Sequence, residues 1–136
     1  MSKISGPLLD RIDIHIEVPA VAYRELSGGL PGTPSVDMRG EVARARAAQA
    51  ARFQGGSTRY NADMTHRQTR QFCRLGEDCQ NLLKTAMTEL GLSARAHDKV
   101  LRVARTIADL DQSDCIRPLH LNEAINYLML DRHLWT

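Results

Sequence analysis

Aromatic side chains are scarce, at 4% of 136 residues, too few to tile a base-stacking surface. Lysine is nearly absent: Lys3, Lys84 and Lys99 stand against fifteen arginines, and arginine suits bidentate contact with carboxylate or phosphate. The three cysteines, Cys73, Cys79 and Cys115, are odd in number and form no C-x-x-C pair. They argue against a disulfide framework and for a reducing, cytoplasmic setting. His66, His97 and His120 complete the residue types for zinc, but Cys73 and Cys79 are too far apart to form a ligand knuckle, so no metal site is expected. No apolar run approaches the roughly 20 residues of a membrane helix, and no signal-peptide core follows Met1. No membrane partner is expected. Charge is close to balanced at +2 and does not by itself announce a nucleic-acid partner. Phosphate-loop, dinucleotide-binding and H-E-x-x-H motifs are all missing, and no serine or cysteine sits in a nucleophile elbow. The chain alone holds no complete active site.

What is present is an ordinary globular composition, 43% hydrophobic and 25% charged, arranged mainly for helices. Ile12, Ile14, Ile16 and Val18 alternate with Asp13, His15 and Glu17, the period of a half-buried strand. A lone strand needs partners from elsewhere. Gly and Pro between Ser27 and Pro34 mark a loop. A helix capped near Ser35 or Asp37 should follow to about Phe53, with Met38, Val42 and Ala45 on one face and Arg39, Arg44, Arg46 and Arg52 around the rest. Thr65 can cap a short helix running through Phe72 and Leu75. Helices over about 77–91, ended by Gly91, and about 94–110, capped by Ser93, carry clear apolar stripes. Cys79 falls on the first stripe. A last helix starts near Pro118 and brings together Leu121, Ala124, Ile125 and Leu128. His15, His66, His97, His120 and His133 read as structural, with His120 a local hydrogen bonder.

Arg95 falls in the first turn of the 94–110 helix. With the free amides of that turn it could cradle an anion. Alternatively, Arg95 pairs with Asp98, Asp98 with Arg102 and Arg105 with Asp109 along a solvated face.

The strings Ile-Ser-Gly-Pro-Leu-Leu-Asp-Arg-Ile-Asp-Ile-His-Ile-Glu-Val-Pro at 4–19 and Leu-Ser-Ala-Arg-Ala-His-Asp-Lys-Val-Leu-Arg-Val-Ala-Arg-Thr-Ile-Ala-Asp-Leu at 92–110 resemble the magnesium-chelatase-like AAA+ ATPases, in particular their competence-linked ComM (YifB-type) branch. Asn61-Ala-Asp-Met64, Glu123-Ala-Ile-Asn-Tyr127 and Leu130-Asp-Arg132 extend the resemblance over the chain. Leu128 departs from it, standing where the family pattern carries arginine. The resemblance implies a mainly α fold, a helical bundle of the AAA+ C-terminal lid type preceded by one strand of the ATPase core. Residues 1–34 would end the core and be partly mobile, and 35–136 would form the lid. By the same resemblance, Arg11 matches an arginine finger acting in trans on a neighbour's ATP. Arg95 matches the sensor-2 arginine that touches nucleotide phosphate. Asp10 and Asp13 flank the finger and read as structural. The parent would use ATP and magnesium, neither held tightly by this chain, in a homo-oligomeric, hexameric ring acting on DNA as a branch-migration helicase. Arg39, Arg44, Arg46 and Arg52 are the candidates for contact with that DNA. Two other readings stay open. One is the ATPase subunit of a magnesium chelatase. The other is a free-standing helical DNA-binding module that uses the last two long helices as a helix-turn-helix.

Overall fold

The structure is a computed structural model that describes residues 11–135, with side chains through Leu128. Asp10 and the start of the 4–19 string lie outside the described residues, as do the side chains of Leu130, Asp131, Arg132 and His133. The described chain forms helices α1 (Tyr23–Gly28), α2 (Ser35–Arg52), α3 (His66–Phe72), α4 (Glu77–Leu90), α5 (Ala94–Leu110) and α6 (Pro118–Trp135), with a 3-10 turn at Asn61–Asp63. The central rod is α5: α2, the 3-10 turn, α3 and α6 all pack on it, and α4 packs on α6.

Local signals set the helix ends. Thr65 and Gln68 form a reciprocal capping box, Thr65 Oγ1 accepting from the Gln68 amide and Gln68 Oε1 from the Thr65 amide, which satisfies two orphan amides at once. Ser93 accepts from the Ala96 amide and starts α5. Gly91 ends α4 at φ 60°, a left-handed conformation in which a Cβ would be strained. Burial then follows the stripes: Cys79 and Leu83 of α4, Val100, Leu101, Ala104 and Ala108 of α5, and Leu121, Ala124, Ile125 and Leu128 of α6 share one core. Leu128, the residue that departs from the family pattern, is therefore a core residue. Phe53 and Phe72 extend that core with an edge-to-face contact at 5.5 Å. Burial pushes the Cys73 thiol up to about 11, so it is an unreactive packing group.

His120 is fully buried. Its Nδ1 accepts from the Arg117 amide at 3.0 Å, so the proton sits on Nε2, 2.8 Å from Asp111 Oδ2. The ring thereby ties the α5–α6 connection to the first turn of α6. His120→Ala should lower stability by about 2–4 kcal/mol, through a cavity and an unsatisfied amide. Chemical denaturation measures this directly.

Two expectations are corrected. The strand over 12–18 is not formed: these residues carry no ladder, and Ile14, Ile16 and Val18 are exposed while His15 is buried. Period-2 alternation specifies two faces, but a strand exists only with a hydrogen-bonded neighbour, and no other described segment supplies one. In α2, only Ala45 and Gln49 are buried, while Met38 and Val42 are half exposed. Alanine-rich sequence keeps α2 helical, and polar contacts near its C-terminal end hold it to α5.

Candidate functional site

Those polar contacts centre on Asp109, 3% exposed. Arg52 grips its carboxylate with both guanidinium nitrogens, at 2.9 and 2.6 Å. Arg105, one turn earlier on α5, approaches it at 3.2 Å and donates to the Ser113 and Asp114 carbonyls. Asn61 closes the network. Its Oδ1 accepts from Arg52, its Nδ2 donates to Asp109 and to Thr106, and its amide donates to Gln49 Oε1, all at 2.8 to 3.1 Å. Arg52 and Arg105 thus direct their donors inside the protein, onto one shared carboxylate and neutral oxygens, a buried arrangement that is costly to break. Only the Arg105 Nε, among the described buried side-chain atoms, lacks a partner.

Arg11 and Arg95 are placed differently. Both are exposed, and neither makes an ion pair or hydrogen bond among the described residues. Lys99 Nζ donates to the Ile12 carbonyl at 2.9 Å, and His15 Nε2 donates to the same oxygen at 3.2 Å. The residue after Arg11 is therefore pinned to α5. Arg95 stands one turn before Lys99 on the same helix face, so the two arginines are displayed near the same end of α5. Ser93 takes only the Ala96 amide, which leaves amides of the first turn open beside Arg95. A guanidinium beside open first-turn amides, as at Arg95, suits a phosphate oxygen.

The salt-bridged alternative for this face does not form. Asp98 pairs instead with His66 at 2.8 Å and with His97 at 3.2 Å. Burial opposes its ionisation, but the hydrogen bonds from those two rings prevail and hold its carboxyl below the ordinary 3.8. Arg105 and Asp109 do pair, in the interior rather than on a solvated face.

Farther along α5, a cleft of about 400 Å³ opens between Ile14, Val103, Ile107 and Tyr127, with Arg102 and Glu123 among its lining residues. Burial and then the neighbouring Glu123 push the Tyr127 phenol up. Of the α2 arginines, Arg39, Arg44 and Arg46 are exposed, whereas Arg52 belongs to the Asp109 network. Arg46 lies over the Tyr60 ring, 4.1 Å from its centroid. Sequence reasoning missed Gln49 and Asn61 as network members and Tyr60 as a partner of Arg46. Only the Arg105–Asp109 spacing hinted at the network. No group of three His, Cys, Asp or Glu side chains among the described residues could hold a metal ion, and no described helix is long and apolar enough to cross a membrane.

Comparison with known proteins gives the family. The magnesium chelatase, subunit ChlI C-terminal family matches residues 32–128, and the magnesium chelatase, subunit ChlI family matches residues 1–26. The uncharacterized protein YifB of Escherichia coli is 40% identical over 98% of the chain and 26% of its own length. Competence protein ComM of Haemophilus influenzae is 36% identical over the same shares. An uncharacterized Mycobacterium tuberculosis protein, Rv2897c, is 34% identical over 81% of the chain and 22% of its own length. The chain thus spans about a quarter of the length of these curated relatives. With α5 and its capped start lying inside the longer family match, the chain belongs to the magnesium-chelatase-like family of ComM and YifB, as a C-terminal helical domain of its AAA+ proteins.

Proposed function

We propose that this chain is the C-terminal lid portion of an AAA+ ATPase motor. Residues 1–34 end the ATPase core and 35–136 form the lid. Arg11 is the finger that reaches ATP held by a neighbouring subunit of a homo-oligomeric, hexameric ring, and Arg95 is the sensor-2 contact to nucleotide phosphate. The observation that carries this reading is a contrast. Arg52 and Arg105 share the buried Asp109 carboxylate, while Arg11 and Arg95, held near one end of α5, have no ion-pair partner among the described residues. A planar, permanently charged guanidinium stabilises the charge that spreads over phosphoryl oxygens during transfer. Magnesium would be held by residues outside the chain. The competence-protein relative favours DNA as the substrate of the motor, with branch migration as the work done. The ATPase subunit of a magnesium chelatase would use the same two arginines.

In the full-length protein, Arg95→Ala should weaken ATP binding by about tenfold or more, the worth of a charge-assisted hydrogen bond, with thermal stability unchanged. Arg95→Lys should recover part of it. Fluorescent-nucleotide titration measures this, and unchanged affinity in Arg95→Ala would remove the sensor assignment.

A further inference from the structure

The turn after α2 builds a second arginine site at the opposite end of α5. Arg46 and Ala50 lie on one face of α2 and Phe53 just past its end, and Gly56, Thr58, Arg59 and Tyr60 return over them to enclose a groove of about 510 Å³. The turn itself needs Gly55 at φ 81°, a conformation that disfavours side chains. No carboxylate lines the groove, and neither Arg46 nor Arg59 makes an ion pair among the described residues. Tyr60 is 43% exposed although the Arg46 guanidinium lies on its ring. An arginine stacked on an aromatic keeps its edge N–H groups for phosphate, and the stack offers a flat face to a base. The groove is also preorganised. Asn61, the next residue after Tyr60, is fixed by four hydrogen bonds to Gln49, Arg52, Thr106 and Asp109. From Arg95 to Asp109 is about 20 Å along α5 at 1.5 Å per residue, so this groove is separate from the nucleotide arginines.

The geometry points to a single-stranded nucleic-acid site formed by Arg46, Arg59 and Tyr60, in which the two guanidiniums take consecutive phosphodiesters and a base stacks on the Arg46–Tyr60 pair. The assignment deepens the reading of the parent as a motor acting on DNA and rests on it. It narrows the contact from the whole basic helix to one end of it.

The test is binding of a fluorescent oligothymidine of about 20 nucleotides to the full-length protein across a salt series. Arg46→Ala and Arg59→Ala should each weaken binding about tenfold and lower the salt slope by about one. Tyr60→Ala should weaken it about tenfold with the slope unchanged. Arg117→Ala, an exposed arginine outside the groove, should bind as wild type. Tyr60→Phe should retain the stack and Arg59→Lys the slope, which separates loss of contact from loss of fold. If the wild type binds and all three alanine variants bind equally well, the groove assignment fails while the DNA reading stands. If the wild type binds no DNA, both fail. If polyglutamate at matched charge displaces the oligonucleotide as well as unlabelled oligothymidine does, the groove takes acidic protein segments and the assignment is overturned.

Discussion

Arg11→Ala in the full-length protein should lower ATP turnover by about 10³–10⁵-fold, the worth of an arginine finger, and leave nucleotide affinity nearly unchanged. The split follows from where the side chain acts. A finger supplied by a neighbour meets charge that develops during transfer, so its loss falls on kcat rather than on ground-state binding. Arg95, by contrast, is expected to act on bound nucleotide and to show in affinity. Arg11 is exposed and makes no hydrogen bond or ion pair among the described residues, so its removal should not disturb folding. Arg11→Lys should recover little, because an ammonium cannot reproduce the planar fork. Steady-state turnover beside nucleotide titration checks both halves.

Asp109→Ala should cost about 3–5 kcal/mol, the range for removing one partner of a buried ion pair. Two guanidiniums lean on this carboxylate. Arg105 is 4% exposed and already has an unpartnered Nε, so it has nowhere to relax. Arg52 is half-buried and could turn partly to water, which moderates the loss. A domain stable by about 5–15 kcal/mol loses a large share of that margin. Asp109→Asn keeps the shape but not the charge and should fall between wild type and alanine. Equilibrium denaturation of this chain and its two variants gives the comparison. Asn61 would lose one of its anchors in the alanine variant, so the groove at Tyr60 should loosen together with the fold.

These two residues also mark how far the sequence can be read. The helix boundaries were legible because their causes are local: Thr65, Ser93 and Gly91 act within four residues of themselves, and the stripes of α4, α5 and α6 repeat with the helical period. The family was legible for a different reason, from long unbroken strings around Arg11 and Arg95. The segment over 12–18 has the right period for a strand but no ladder, since pairing is a property of two segments and the pattern lies in one. Met38 and Val42 misled in a similar way. Their spacing implies an apolar face, yet α2 is held at its far end by Gln49 to Asn61 and Arg52 to Asp109, polar contacts across 12 and 57 residues of sequence. Nothing local announces such pairs. Asp98 shows the same limit: its expected partners lay on its own helix, and it reaches His66 on α3 as well as its neighbour His97. Arg11 and Arg95 were named without the structure, but the network that sets them apart from Arg52 and Arg105 was not.

The most direct measurement mixes two inactive forms of the full-length protein. One carries Arg11→Ala, and the other carries a disabled upstream phosphate loop with Arg11 and Arg95 intact. If Arg11 serves a neighbour's ATP, adjoining subunits of the two kinds rebuild a complete site, and the mixture should hydrolyse ATP well above either form alone. A mixture as inactive as its components, with assembly between them verified by sedimentation, would contradict the account.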